Sequence, residues 1–108
     1  MADDQPSVVE VIITAPDEDL LIAFTRRLVE DRLAACGHHT PIRSVYTWAG
    51  AIHDEPETRV ALHTQAGHVQ AIIDRTNTEH PYEVPCVIAT PIANANSAYR
   101  AWIIDATS

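Results

Sequence analysis

The run Val8-Val9-Glu10-Val11-Ile12-Ile13-Thr14 is β-branched almost throughout and apolar on both faces apart from Glu10. It offers no clean alternation of a dry and a wet face. It therefore predicts an interior strand covered on at least one side. In a chain of 108 residues, one domain by length, the remaining segments must supply both its neighbours and its cover.

Ala15-Pro16-Asp17-Glu18-Asp19 marks a helix start, with Pro in the first turn and carboxylates favoured by the positive end of the helix dipole. Leu20, Leu21, Phe24 and Leu28 follow at helical spacing, with Arg26, Arg27, Glu30 and Asp31 on the other side. The pattern predicts an amphipathic helix of about five turns. It is expected to end near Cys36-Gly37, with Gly37 as the C-cap. Ile42, Ser44, Tyr46 and Trp48 then alternate with Arg43, Val45 and Thr47, and Ala49-Gly50 marks a turn. The return strand sets Thr58, Val60 and Leu62 against Arg59, Ala61 and His63, with Asp54-Glu55-Pro56 expected to interrupt its start as a bulge or loop.

A second helix, roughly residues 66–78, carries Val69, Ile72 and Ile73 on one face. It ends at His80, because a residue before proline is pushed out of the helical region. Residues 84–90 read as another β-branched strand, and Asn94-Ala95-Asn96-Ser97 starts a last helix with Tyr99, Trp102 and Ile103 on one face. The order predicts an α+β, ferredoxin-like βαββαβ sandwich with an extra C-terminal helix. Residues 8–108 form the domain and residues 1–7 a loose tail. Two helices on one face of the sheet leave the other bare, and on so small a chain oligomerisation is the simplest cover.

Composition removes several functions. A formal charge of −8 and a pI near 5.0 argue against a nucleic-acid partner, which needs clustered cations. All seven basic residues are Arg, so a Schiff-base lysine, a P-loop lysine and a Ser-Lys dyad are excluded. Cys36 and Cys86 stand far apart and in no CxxC pair, which speaks against a disulfide framework or a one-chain thiolate zinc site. No apolar window approaches the roughly 18 residues of a membrane span, and the acidic start lacks a signal peptide's basic and apolar regions. The expectation is a cytoplasmic protein without a membrane partner.

Five segments together carry a resemblance. Thr14-Ala15-Pro16-Asp17-Glu18, Arg32-Leu33-Ala34-Ala35-Cys36, Ser44-Val45-Tyr46-Thr47-Trp48-Ala49-Gly50, His80-Pro81-Tyr82-Glu83-Val84-Pro85 and Tyr99-Arg100-Ala101-Trp102 occur in that order. The set resembles the divalent-cation-tolerance (CutA) family over nearly the whole chain. The resemblance implies a ferredoxin-like subunit assembled as a homotrimer through long hairpin strands, with a link to tolerance of copper or other divalent metals. The chain departs from the family pattern where it bears on metal. Ile13 stands where some members have Cys, and Glu79 where some have His. His63 replaces a common Lys, and Cys86 a frequent Glu.

His80 is the leading single ligand candidate, since neutral imidazole suits copper and zinc and the flanking prolines hold its backbone. The alternative is a structural His bonded to backbone at the corner. Glu79 and Glu83 could complete or orient a metal-bound His, or could be solvated charges. Cys86 could join a mixed N/S site or pack as a small hydrophobe. Cys36 is expected to pack. His38-His39 cannot easily bind one ion together, because strand neighbours point to opposite sides, and is expected to be a solvent-exposed pair. Tyr46, Trp48 and Tyr82, with His63, are candidates for an interface or a pocket at a subunit junction.

The leading reading is a homotrimeric divalent-cation-tolerance protein that binds a copper-type or other divalent ion weakly. One alternative is a small-molecule-binding signalling trimer of the PII type, weakened by the missing Lys. Another is a structural trimer without a ligand. An enzyme is not expected, since no nucleophile–base pair, redox motif or cofactor fingerprint is legible.

Overall fold

The computed structural model describes residues 6–108. Its elements are β1 (Val8–Ala15), α1 (Glu18–Glu30), β2 (Cys36–Trp48), β3 (Ala51–Gln65), a 3-10 turn (Ala66–His68), α2 (Val69–Glu79), β4 (Val87–Pro91) and α3 (Ser97–Ala106). The expected tail, residues 1–7, lies outside the described residues except for Pro6 and Ser7. Ser7 O accepts from Ala66 N–H at 2.8 Å.

The four strands are ordered β2-β3-β1-β4 with every neighbouring pair antiparallel. The β-branched run is thus an interior strand. Val9, Val11, Ile13 and Ala15 turn to one face and pack with Val60 and Leu62 against Leu21, Phe24 and Leu28 of α1 and Ile72 of α2. Burying each such aliphatic side chain stabilises the fold by about 1.5–3 kcal/mol before entropy is counted. This is the expected ferredoxin-like sandwich. The extra helix, α3, lies across one end of the opposite sheet face, where Ile103, Tyr99 and Ile104 pack on Val8 and Ala35. The rest of that face stays open, with Ile88 56% exposed.

Three local expectations need correction. Helix α1 is 13 residues long and stops at Glu30, not near Cys36. Its end is a Schellman motif: Leu33 N–H donates to Leu28 O at 2.9 Å and Arg32 N–H to Val29 O at 3.1 Å. Arg32, not a glycine, takes the left-handed position at φ 60°. Its side chain gives a reason, for Nε and Nη2 donate to the carbonyls of Ser108 and Asp105 at 2.9 and 2.7 Å. The guanidinium thereby caps the negative end of α3. Gly37 is instead the second residue of β2, where a Cβ would meet Thr25 Cγ2 at 2.6 Å and Val60 Cγ2 at 2.9 Å. It is there for close approach of strand and helix.

No bulge forms at Asp54-Glu55-Pro56: β2 and β3 pair without a break from Cys36↔His63 to Trp48↔Ala51. Strand β1 ends opposite Thr58, so this part of β3 has a free edge, where proline is tolerated. The hairpin closes on Ala49 (φ 52°) and Gly50 (φ 79°), the two positive values of a type I′ turn. Finally, β4 begins at Val87 rather than Val84. Thr14 O, which a longer β4 would approach, accepts from His80 Nε2 at 2.7 Å, and Pro85 has no N–H to offer.

Candidate metal centre

Period-two alternation along β2 puts Cys36 and His38 on the open face, and the register sets His63 of β3 directly opposite Cys36. Their ligand atoms lie within 4.8 Å of one another, the only set of three His, Cys, Asp or Glu that close among the described residues. Cys36 Sγ is 3.8 Å from His63 Nδ1, and the His38 and His63 rings meet edge-on at 5.3 Å. Both Cys36 and His63 are half-buried, while His38 is exposed.

The surroundings orient the imidazole. His63 Nε2–H donates at 2.9 Å to Oε2 of Glu10, the one charged residue in β1. In the neutral ring this fixes the tautomer and turns the Nδ1 lone pair inward. A carboxylate behind a histidine is the usual outer partner of a metal-ligating imidazole. Inward, Nδ1 accepts from Tyr99 O–H at 2.5 Å, and Cys36 Sγ lies 3.3 Å from the same oxygen. Burial, then the hydrogen bond to Cys36, pushes the Tyr99 phenol up to about 12. With bonds of ~2.3 Å to sulfur and ~2.05 Å to nitrogen, two donors on one tetrahedral ion stand about 3.6 Å apart. The 3.8 Å between Sγ and Nδ1 fits that requirement, and one thiolate with two imidazoles suits copper or zinc.

Of the residues singled out from sequence only His63 stands in this cluster, and the metal-ligand candidates His80, Glu79, Glu83 and Cys86 lie elsewhere. His80 is held at both ring nitrogens: Nε2 donates to Thr14 O at 2.7 Å, and Nδ1 accepts from Tyr82 N–H at 3.0 Å. Its one ring lone pair, on Nδ1, is held by a backbone N–H, which unlike the Tyr99 hydroxyl on His63 Nδ1 cannot rotate away, so the ring works as a backbone clasp between the end of β1 and the loop before β4. Glu79 accepts from Arg27 Nε at 2.9 Å and from Arg75 Nε, while Arg75 Nη1 donates to Asp31 at 2.8 Å. The Arg75 hydrogen bond holds the Glu79 carboxyl below the usual carboxylate range. This network ties α1 to α2. Glu83 and Cys86 are exposed, and His80, Glu83, Cys86 and Glu79 do not converge.

Tyr46, Trp48, Tyr82, Glu83 and Cys86 line one open groove of about 890 Å³ between the hairpin and the loop before β4. Tyr82 O–H donates to Glu57 at 2.7 Å and Tyr46 O–H to Glu55, while Tyr46 stacks on His53 at 5.3 Å. Burial and the Glu57 carboxylate raise the Tyr82 phenol above its ordinary value. His63 is not in this groove.

Cys36 was missed because helix α1 was carried too far along the chain, and Glu10 because only the strand register sets it beside His63. Once Cys36 is the first residue of a strand, Cys-x-His is a one-face pair. Its partner His63 is visible only from the register.

The sequence profile of the CutA1 divalent ion tolerance protein family matches residues 9–106. The chain belongs to this family. It is 38% identical to the human Protein CutA over 102 residues, covering 94% of this chain and 57% of that protein. It thus spans little more than half the length of that relative. It is 33% identical to the divalent-cation tolerance protein CutA of Salmonella newport over 99 residues, covering 91% of this chain and 86% of the relative. Among solved structures, the periplasmic divalent cation tolerance protein CutA of Archaeoglobus fulgidus superimposes with a TM-score of 0.91 at 29% identity, over 94% of this chain and 99% of that one. The CutA1-family fold accounts for the sheet, the long hairpin and α3. No helix among the described residues is long and apolar enough to cross a membrane.

Proposed function

We propose that this CutA1-family chain is a homotrimeric, cytoplasmic metal-binding protein of divalent-cation tolerance, without enzymatic activity, that takes a copper-type or other divalent ion at Cys36, His38 and His63. The observation that carries the reading is the spacing of Cys36 Sγ and His63 Nδ1, 3.8 Å, with Glu10 setting the imidazole from behind. Half-burial of two of the three donors lowers competition from water without closing the site. Weak, exchangeable binding suits tolerance better than a closed structural centre does. The trimer is supported by what a single subunit leaves exposed. Val45 is 67% and Ile52 77% exposed on the projecting hairpin, and the open sheet face carries Ile88.

The test is titration of the purified oligomer with Co²⁺ and Zn²⁺, following the thiolate-to-cobalt charge-transfer band, on wild type, Cys36→Ser, His63→Ala and His80→Ala. Cys36→Ser abolishes the band, His63→Ala weakens binding by about tenfold or more, and His80→Ala leaves the affinity unchanged. Equal affinity in wild type and Cys36→Ser refutes the assignment, as does a loss confined to His80→Ala. Native mass spectrometry of the same samples reads the trimer; a stable monomer removes that part of the proposal.

A further inference from the structure

Resting on that reading of the Cys36 site, we infer that Tyr99 is its fourth donor, so that ion binding is coupled to the seating of helix α3. The Tyr99 oxygen already stands over the donors contributed by the sheet, 3.3 Å from Cys36 Sγ and 2.5 Å from His63 Nδ1. Two nitrogen or oxygen donors on one tetrahedral ion stand about 3.4 Å apart, and a sulfur–oxygen pair about 3.6 Å. The sulfur distance is already suitable. The nitrogen distance is shorter by about the difference between a hydrogen bond and a shared ion. Loss of one proton from Tyr99 and one from Cys36, both released to solvent, converts the hydrogen-bonded triangle into a donor triangle with a tyrosine shift of roughly 1 Å.

Helix α3 is tied more heavily at its C-terminal end than at the end that carries Tyr99. Its C-terminal end is clamped: Arg32 holds the carbonyls of Asp105 and Ser108, Gln65 donates to Ile104 O at 3.1 Å, and His68 Nε2 donates to Thr107 O at 2.7 Å. Tyr99 sits in the first turn, at the other end. There the Asn96 side chain makes no capping hydrogen bond, as at the starts of α1 and α2, and Arg100 Nη2 makes an exposed hydrogen bond to Pro6 O at 3.3 Å. Tyr99 also stacks on Trp102 at 5.6 Å, a half-exposed ring that moves with it. The shift that completes the site is thus one of Tyr99 and the first turn of α3 relative to the more firmly held C-terminal end, and the Trp102 indole stacked on Tyr99 serves as a reporter.

The experiment is a Zn²⁺ and Co²⁺ titration of the intact oligomer followed by ultraviolet difference absorption of tyrosinate and by tryptophan emission, for wild type and Tyr99→Phe. The expected result is a tyrosinate difference signal saturating with the Cys36 charge-transfer band, a parallel change in emission, and an affinity about tenfold or more lower in Tyr99→Phe. The tyrosinate signal in wild type stands on its own if the variant folds poorly. A full thiolate band with no tyrosinate signal, and binding in Tyr99→Phe equal to or tighter than wild type, overturns the inference and leaves the three-residue site intact. Absence of the thiolate band in wild type overturns both.

Discussion

Replacing Gly37 with Ala tests the packing on which the candidate site depends. Gly37 lies between Cys36 and His38, so its fit against α1 sets where both donors stand. An added Cβ would come within 2.6 Å of Thr25 Cγ2, 2.9 Å of Val60 Cγ2 and 3.1 Å of Leu62 Cδ2. None of the three can retreat easily. Val60 and Leu62 are fully buried, and Thr25 is pinned by its hydroxyl, which donates to Leu21 O at 2.9 Å. Overpacking of this kind costs about 3 kcal/mol at the upper end of its range. Restricting the unfolded chain by Gly→Ala offsets about 1 kcal/mol, so the net loss is about 2 kcal/mol. Thr25→Ser keeps the hydroxyl and removes only the methyl at 2.6 Å. In the Gly37→Ala background it recovers roughly half the loss, giving a coupling of about 1 kcal/mol. The assay is urea denaturation of all four proteins at one protein concentration. A Gly37→Ala protein as stable as wild type, or strictly additive substitutions, refutes the close-approach argument.

Three further outcomes are expected. Ala49→Gly or Ala49→Asn raises stability by about 0.5–1 kcal/mol, since Ala49 holds a left-handed backbone that suits those residues better; denaturation midpoints check it. Arg32→Ala destabilises by about 1–2 kcal/mol through loss of two charged hydrogen bonds. Arg32→Gly loses less by about 1 kcal/mol, because glycine relieves the left-handed strain, and the two melting curves show the order. Glu79 has a folded-state carboxyl below its ordinary value, so the unfolded chain takes up its proton first as the pH falls. The stability it contributes is complete above the ordinary carboxylate range and drains away as pH drops through the lowered folded value. Glu79→Gln is destabilised by about 1 kcal/mol at neutral pH and shows a flatter acid limb in stability measured against pH.

Much of the architecture is local in origin and legible in the chain itself. The β-branched run could only be an interior strand. Leu21, Phe24 and Leu28 could only face it, and His80-Pro81 could only end α2. The strand and helix periods then specified the ferredoxin-like order and its bare sheet face. The five ordered motifs by themselves point to the CutA family. What failed was punctuation. Arg32 ends α1 in a conformation normally left to glycine because a carbonyl cluster 73 and 76 residues away receives its guanidinium, and no window of sequence contains that fact.

The same limit governs the site. His80 drew notice because its neighbours in the chain are distinctive, yet a tertiary contact with Thr14 and a local one with Tyr82 consume its two nitrogens. Cys36 drew little notice because the boundary of β2 was misplaced. His63 lies 27 residues from Cys36 in the chain and Tyr99 a further 36, and only strand register and the docking of α3 bring them together. The sequence by itself determined the elements, their order, the family and the need for cover on one sheet face, because periodicity and backbone preference act over a few residues. The tertiary structure alone decided which donors converge, because convergence is a property of register and packing between segments distant in the chain.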